Sequence, residues 1–191
     1  MLDSTYIDCH FFYSLRYNKL SGLPCELAHC QQLTELNIEG NRIQRLPNGL
    51  LQSMPMLSSV VLSRNSFTTI PDENTDQFSH LKVKCNSLIG LDLSYNLIEK
   101  LPDSLFEMMN LELLDLTSNR LQQLPPTVGK MSHLVQLHLE FNQLASLPSE
   151  ICELTHLKVL NLDANKLTRL PSSIGSVSCV VSSDRLNVKN E

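Results

Sequence analysis

The chain has 191 residues, 37 of which are leucine, while aromatic residues make up 5% of it and tryptophan is absent. A chain of this length can bury a sizeable core, but this excess of leucine over aromatic residues argues against the core of most enzymes and β-sandwiches. The formal net charge is −5 and the basic residues are scattered singly, which excludes the basic footprint of a nucleic-acid-binding protein. Such a composition indicates either a helical bundle or a repeat.

One asparagine recurs along the chain at a nearly constant spacing. Each copy opens the frame N-x-φ-x-x-φ-P, where φ is an apolar residue. Upstream of the copies lies the pattern L-x-x-L-x-L, as in Leu111–Leu116, with Ile or Val replacing a leucine in some repeats and with His10 and Tyr13 in leucine positions before the first copy. The seven asparagines, called the asparagine ladder below, are Asn18, Asn41, Asn65, Asn96, Asn119, Asn142 and Asn165. Their residue numbers differ successively by 23, 24, 31, 23, 23 and 23. Seven copies in one frame indicate a leucine-rich repeat array.

The repeat unit predicts a short strand, a turn and a convex segment. The two leucines of L-x-L point to one side of the strand because successive side chains alternate. The asparagine amide, turned inward, can bond backbone groups that the turn would otherwise leave unpaired. After the proline, apolar residues at three-residue spacing suit a helical or 3₁₀ turn. We expect an α/β solenoid, a leucine-rich repeat horseshoe whose parallel concave sheet has seven strands and whose convex side is helical, 3₁₀ or irregular.

In chain order, the array has two ragged ends and one interruption. Residues 1–9 are predicted to be poorly ordered, and the array to span 10–180. The step from Asn65 to Asn96 is seven longer than the step before it, which predicts an insertion at 82–88 and a protruding loop near 72–87. Residues 181–191 are polar and leave the repeat frame, which predicts a frayed tail. Together these ends suggest a fragment or short isoform of a longer array.

Cysteine usage and the first residues indicate the cellular setting. The chain starts with acid where a signal peptide carries base, and no apolar run approaches the ~20 residues that span a bilayer. The cysteines show no C-x-x-C pair, which argues against a zinc site. They are Cys9, Cys25, Cys30, Cys85, Cys152 and Cys179. We expect a cytoplasmic or nuclear protein with reduced thiols and no transmembrane segment.

The titratable residues show no catalytic constellation. The sequence has no G-x-S-x-G, no Gly-rich phosphate loop and no H-E-x-x-H. His133 and His156 each precede a leucine that opens a predicted strand, and His80 precedes Leu81, where a regular unit would open one, so their periodicity indicates linker positions. We therefore predict no enzymatic activity, no cofactor and no metal site.

The strand positions that point away from the core form the predicted functional surface. They lie six, four, two and one residues before each ladder asparagine, and acidic residues outnumber basic ones among them. Tyr17, Tyr95 and Phe141 place large rigid rings among polar neighbours, which is typical of protein-binding hot spots. The predicted protein-binding residues of this concave face are Arg16, Tyr17, Glu39, Arg64, Asp92, Tyr95, Asp115, His138, Glu140, Phe141 and Asp163. The alternative is a solvated polar face with incidental aromatic residues.

The regular repeat unit with leucine and proline after the asparagine resembles the intracellular, Ras-associated class of leucine-rich repeat proteins. Within that class the stretches Leu15–Leu20, Leu62–Phe67 and Gln77–Ser79 resemble the SHOC-two (Sur-eight) family of Ras–RAF scaffolds. The resemblance implies a non-enzymatic scaffold in the Ras–MAP kinase pathway. Its concave face would join a GTP-loaded Ras-type GTPase to the catalytic subunit of protein phosphatase type one, which then dephosphorylates a RAF kinase.

A second hypothesis is an adaptor of cell polarity or junctional complexes, a related group with repeats of similar length. Peptide-binding domains in a longer parent chain would favour that hypothesis. Both hypotheses assign the chain a protein partner and no nucleic acid.

Overall fold

The structure is a computed structural model, and it describes residues 12–47, 50–68, 87–176 and 180–182. Over these ranges a single sheet contains eight strands in chain order, and every neighbouring pair is parallel. The strands are β1 (Phe12–Ser14), β2 (Glu35–Asn37), β3 (Ser59–Val61), β4 (Gly90–Asp92), β5 (Leu113–Asp115), β6 (Gln136–His138), β7 (Val159–Asn161) and β8 (Val180–Ser182).

Short 3₁₀ helices form the opposite side of the repeats. Most of them begin directly after a proline that lies in extended conformation, such as Pro102 and Pro148. Proline suits this entry because its φ is fixed and it needs no hydrogen-bond acceptor. The described 3₁₀ helices are Cys25–His29, Leu51–Ser53, Asp103–Glu107, Pro126–Lys130, Ser149–Glu153 and Ser172–Ser176.

The core lies between the sheet and the 3₁₀ helices and consists mainly of leucine. In β2 to β7 the middle residue of each strand is buried and its two neighbours are half-buried. The second leucine of the L-x-L pair is buried as well, as Leu116 and Leu139 show. Because each unit has an apolar edge on both sides, the units bury one another and none would be stable alone.

The sheet has one strand more than the seven that the sequence predicts. In β8, Val180 pairs with Val159, whereas the offset of the preceding pair, Gln136 and Val159, would place Ser182 opposite Val159. The strand therefore begins two residues earlier than the repeat frame requires, and valines occupy it instead of leucines. β8 ends at Ser182, two residues beyond the predicted end of the array at 180.

The long step between the third and fourth repeats does not change how their strands pair. Ser59 pairs with Gly90, and the residues that follow on β3 and β4 keep the same register. Leu88 is buried at 2% exposure, so it is a core residue of the fourth repeat and the extra residues precede it. The predicted loop near 72–87 lies outside the described residues except for Ser87, as do the predicted segment 1–9 and all of the predicted tail beyond Ser182.

The parallel sheet backed by 3₁₀ helices confirms the predicted leucine-rich repeat fold. Of the six cysteines, Cys25, Cys30 and Cys152 are described, and all three are free thiols. Among the described residues, no helix has the length and apolar character to cross a membrane.

Candidate protein-docking face

The turn after each of the strands β1 to β7 holds one residue in the left-handed conformation, directly before the ladder asparagine. Six of these residues are not glycine and have φ between 53° and 55°. The asparagine side chain offsets part of the cost of this conformation by satisfying the turn's backbone groups. The left-handed residues are Tyr17, Gly40, Arg64, Tyr95, Ser118, Phe141 and Ala164. Four of the predicted docking residues, Tyr17, Arg64, Tyr95 and Phe141, therefore share one backbone geometry along the rim of the concave face.

From Asn41 onward, the asparagine ladder joins each repeat to the one before it. Asn119 donates from Nδ2 to the carbonyl oxygens of Leu93, in the preceding repeat, and Leu116, in its own repeat, at 3.0 and 3.1 Å. Its Oδ1 accepts the backbone N–H of Ile98 at 3.0 Å. The same pattern holds at Asn41, Asn65, Asn96, Asn142 and Asn165. This ladder fixes the backbone beneath the face.

Five predicted residues come together over the first four strands in what we call the arginine–tyrosine cluster. It consists of Arg16, Tyr17, Glu39, Arg64 and Tyr95. Arg16 donates from Nε to Glu39 Oε2 at 2.9 Å, and its Nη2 lies 2.7 Å from the same oxygen. The hydroxyl of Tyr17 donates to Glu39 Oε1 at 2.6 Å, and Arg64 Nε lies 3.5 Å from that oxygen.

These contacts set the charge state of the cluster. The hydrogen bond from Tyr17 does most to lower the pKa of Glu39, and Arg16 and then Arg64 lower it further, against the opposing effect of burial. Glu39 in turn raises the pKa of Arg16 above its ordinary value, chiefly through their hydrogen bond. Glu39 is therefore ionised at neutral pH and balances one of the two guanidinium charges.

Gly40 gives the cluster its shape. Its φ is +71°, and a Cβ at this position would lie 2.5 Å from Cδ1 of the Tyr17 ring. The ring therefore lies directly over the Gly40 backbone and reaches from the first repeat to Glu39 on the second. A side chain at position 40 would displace it.

Two of the predicted acidic residues serve the turns that follow their strands. Asp92 and Asp115 each accept, at 2.8 Å, the backbone N–H of the residue two positions later. Burial is the main cause that raises the pKa of Asp115, and the nearby Asp92 raises it further; hydrogen bonds from Thr117 and the charge of His138 act in the opposite direction. Part of the acidity that the sequence places on this face therefore stabilises the turns.

A second group, the histidine–glutamate network, lies over β5 to β7. Asn161 donates from Nδ2 to Glu140 Oε1 at 2.8 Å and lies 3.0 Å from His138 Nδ1. Because an amide N–H can only donate, His138 Nδ1 accepts, and the proton of the neutral ring is on Nε2, 3.4 Å from Gln136 Oε1. Thr117 donates to the other oxygen of Glu140 at 3.0 Å.

The network shows which neighbours the predicted set omits. Thr117, Gln136 and Asn161 stand in the same outward strand positions as the predicted residues, and Gly40 stands in the position before the ladder asparagine. Periodicity could have found them, but uncharged residues and glycine carry no signal of binding by residue type. Cross-strand contacts alone reveal their part in holding Glu140, His138 and Tyr17.

Phe141 and Asp163 lie outside both groups. Phe141 is 61% exposed, comparable to Tyr17 at 64%, and Asp163 is half-buried with its carbonyl bonded to the N–H of Phe141 at 2.9 Å. In the part of the chain that the structure describes, no group of three or more His, Cys, Asp or Glu side chains is arranged to hold a metal ion. The chemistry on this face is that of charge, hydrogen bonding and exposed aromatic rings.

Sequence comparison identifies the repeat directly. Family profiles described as "Leucine rich repeat" match residues 31–83, 110–131 and 156–177. Among individual relatives, the chain is 33% identical over 91 residues to fibromodulin of Sus scrofa, covering 48% of this chain and 55% of that protein. It is 28% identical over 112 residues to an adenylate cyclase of Podospora anserina, covering 51% of this chain and 5% of the cyclase.

A shorter match is closer in sequence. Over 35 residues the chain is 54% identical to the "Leucine-rich repeat protein soc-2 homolog" of Drosophila grimshawi, which covers 18% of this chain and 6% of that protein. The chain thus spans less than two thirds of each of these relatives.

Solved structures share the fold over nearly the whole chain. The plant peptide hormone receptor RGFR1, solved in complex with RGF2, is 32% identical with a TM-score of 0.70, covering 90% of this chain and 28% of the receptor. A TDR receptor has a TM-score of 0.75 at 22% identity, covering 89% of this chain and 29% of that one.

Proposed function

The chain belongs to the leucine-rich repeat proteins, and from that premise we propose that it is a non-enzymatic scaffold that docks a protein partner on its concave face. Leucine-rich repeat folds are typically interaction domains. The observation that carries the proposal is the fixed arrangement of charged groups beside half-exposed aromatic rings in the arginine–tyrosine cluster. Side chains already held in place lose little conformational entropy on binding, so more of the contact energy is available as affinity.

A related chain supports a proteinaceous partner. The receptor RGFR1 shares this fold at 32% identity and was solved in complex with RGF2. We take this as a precedent for recognition of a peptide or protein by such an array. The acidic residues Asp92, Asp115, Glu140 and Asp163 favour a partner that brings basic groups to the later strands.

We further propose that the partners belong to Ras–MAP kinase signalling in the cytoplasm. They would be a GTP-loaded Ras-type GTPase, the catalytic subunit of protein phosphatase type one and, through them, a RAF kinase. Two observations support this assignment: the resemblance at Leu15–Leu20 and Leu62–Phe67, and the 54% identity over 35 residues to the soc-2 homolog.

A pull-down with purified proteins tests this assignment. The immobilised chain is presented with the GTPase loaded with GTP or GDP, and separately with the phosphatase subunit. We expect retention of the GTP-loaded form over the GDP-loaded form, or retention of the phosphatase. If neither is retained by the chain or by a longer parent protein, the Ras assignment is wrong and the docking proposal requires another partner.

Charge reversal tests the face itself. Replacing Asp92, Asp115 and Glu140 by Lys removes the acceptors of the Ser94 and Thr117 N–H groups and should lower the stability of these turns. The array as a whole should stay folded, and the binding of a basic partner should weaken by about tenfold or more. The matched control replaces Glu26, Glu150 and Glu153 by Lys, since these three lie in the 3₁₀ helices on the other side of the repeats. Far-UV circular dichroism verifies the fold of both variants. Equal binding by the two triple variants would place the partner elsewhere than on the concave face.

A further inference from the structure

The arginine–tyrosine cluster is a positively charged site on a face that is otherwise acidic. Glu39 follows β2, and the guanidinium groups of Arg16, after β1, and Arg64, after β3, approach its carboxylate from the two neighbouring repeats. Two cations thus share one anion. The carboxylate is 13% exposed, whereas the two arginines are 48% and 50% exposed, so the cations face the solvent and cover the anion.

Aromatic rings hold both arginines in place. The guanidinium of Arg64 lies 4.2 Å from the centroid of the Tyr95 ring, and that of Arg16 lies 5.3 Å from the Tyr17 centroid. Such stacking leaves the N–H groups at the edge of the guanidinium plane available for hydrogen bonds. Within the described part of the chain, Glu39 engages only some of the five N–H groups that each guanidinium carries.

We propose that Arg16 and Arg64 form a receptor for a carboxylate, the side chain of an Asp or Glu on the docked protein partner. This inference rests on the proposed docking function and specifies the chemistry of its first contact. The partner's carboxylate lies between the two guanidiniums, and the rings of Tyr17 and Tyr95 flank it and exclude water. One incoming negative charge balances the single excess positive charge, whereas a dianionic phosphate would leave the site negative.

The rest of the face extends the requirement on the partner. From β4 onward the outward strand positions carry Asp92, Asp115, Glu140 and Asp163, without Lys or Arg. Glu39 and Glu140 follow β2 and β6, four strand steps apart, which is about 19 Å at ~4.8 Å per step. A partner segment that crosses the strands therefore presents an acidic residue at one end and basic residues about six positions away.

Selection from a library of short random peptides on the full chain tests this inference without a known partner. We expect the selected peptides to be enriched in Asp or Glu and to bind the Arg16→Gln/Arg64→Gln variant about tenfold more weakly, or worse. Their Asn or Gln counterparts should lose affinity for the wild-type chain but not for the variant, as a double-mutant cycle requires. The matched control is Arg120→Gln, an arginine 52% exposed and 3.9 Å from Glu99, outside the cluster.

A substitution that should raise the affinity for acidic peptides distinguishes a role in recognition from a role in stability. Glu39→Gln removes the resident anion and keeps an acceptor oxygen for Tyr17, so it should bind acidic peptides several-fold more tightly. No acidic enrichment, or equal binding by wild type and the double arginine variant, would overturn the carboxylate site alone. Peptides insensitive to every concave substitution, including the triple Lys variant, would overturn the docking function as well.

Discussion

Single asparagines decide whether the turns of this array can be buried. The ladder asparagines from Asn41 to Asn142 are 5% to 8% exposed, and each satisfies backbone groups of two repeats with one amide. Within the described residues, every buried side-chain nitrogen and oxygen has a hydrogen-bond partner. An amide provides two N–H donors and one acceptor oxygen, whereas a hydroxyl has a single donor and an ionised carboxylate has none.

Replacing Asn119 by Ala should therefore lower the free energy of unfolding by about 1–3 kcal/mol. The N–H of Ile98 loses its acceptor, and the carbonyls of Leu93 and Leu116 each lose one of two donors and keep only the amide of Asn96 or Asn142. Urea denaturation measures this. Asn18→Ala is the matched control, since Asn18 is exposed and, among the described residues, bonds only carbonyls of its own repeat. Equal losses for the two variants would contradict the account of the ladder as a link between repeats.

Asp115 shows the cost of placing a carboxylate on a half-buried strand. The pKa of Asp115 is raised in the folded chain, so its ionised carboxylate lowers the stability of the fold. This loss of stability is absent when the pH is below the pKa of the unfolded chain, and it is complete once the pH exceeds the pKa of the folded chain. Asp115→Asn removes the charge and keeps Oδ1 as the acceptor for Thr117 N–H. We expect the variant to melt at a higher temperature than the wild type at neutral pH, with the difference vanishing in acid. A variant less stable than the wild type at neutral pH would refute this.

At the scale of the element, one repeat is a three-residue strand, a left-handed turn and a 3₁₀ helix. The left-handed residue bends the chain out of the strand so that the next asparagine can point inward. Six repeats tolerate a side chain there at a cost of about 1 kcal/mol each, whereas the second repeat uses Gly40. The difference is that the Tyr17 ring occupies the space where a Cβ would lie.

Gly40→Ala should therefore lower the free energy of unfolding by about 1–2 kcal/mol, from the left-handed backbone and from displacement of the Tyr17 ring. The substitution should also break the Tyr17–Glu39 hydrogen bond and lower the affinity of the chain for acidic peptides. Gly90→Ala in β4 is the control: a Cβ there meets nothing within 4 Å, and a strand favours Ala over Gly by about 0.5 kcal/mol. Denaturation of both variants under one condition gives the comparison, and a harmless Gly40→Ala would refute the packing argument.

At the scale of the whole molecule, the array is a one-dimensional stack in which each repeat contacts only its neighbours. The parallel pairing of neighbouring strands continues through the long step before β4 and through the step before β8, which is two residues shorter than the preceding one. Stability is therefore greatest in the middle, where every unit is covered on both sides, and smallest at the ends.

The position of a core leucine along the stack should then set the cost of removing it. Leu114→Ala, at the centre of β5 and fully buried, should cost about 2–5 kcal/mol and destabilise both neighbouring repeats. Leu167→Ala, in the last repeats and only partly buried, should cost less and loosen one end. Hydrogen exchange distinguishes the two variants: Leu114→Ala should lower the protection of amides in β4 to β6, and Leu167→Ala should lower that of amides in β7. An equal loss of protection in all strands for both variants would contradict the one-dimensional description.

Most of the fold could be predicted from the sequence, because the same pattern of residues recurs in every repeat. Leucine alternation predicts the parallel strands, proline predicts the entry into the convex turns, and the asparagine position predicts the ladder bonds. β8 was not predicted, because valine in place of leucine leaves the repeat frame while still suiting a strand. Strand formation depends on pairing with a neighbour, and β7 offers that pairing whatever the frame.

The repeat frame in the sequence thus accounts for the fold, for the spacing of the strands and for the set of side chains that point away from the core. The way in which those side chains divide the face depends on cross-strand contacts that the sequence does not show. By count the face is acidic, yet Arg16 and Arg64, two repeats apart in sequence, meet at Glu39 because parallel stacking brings successive turns together. Periodicity is local and fixes the direction in which each side chain points, whereas charge balance and hydrogen bonding depend on which side chains of successive repeats come into contact.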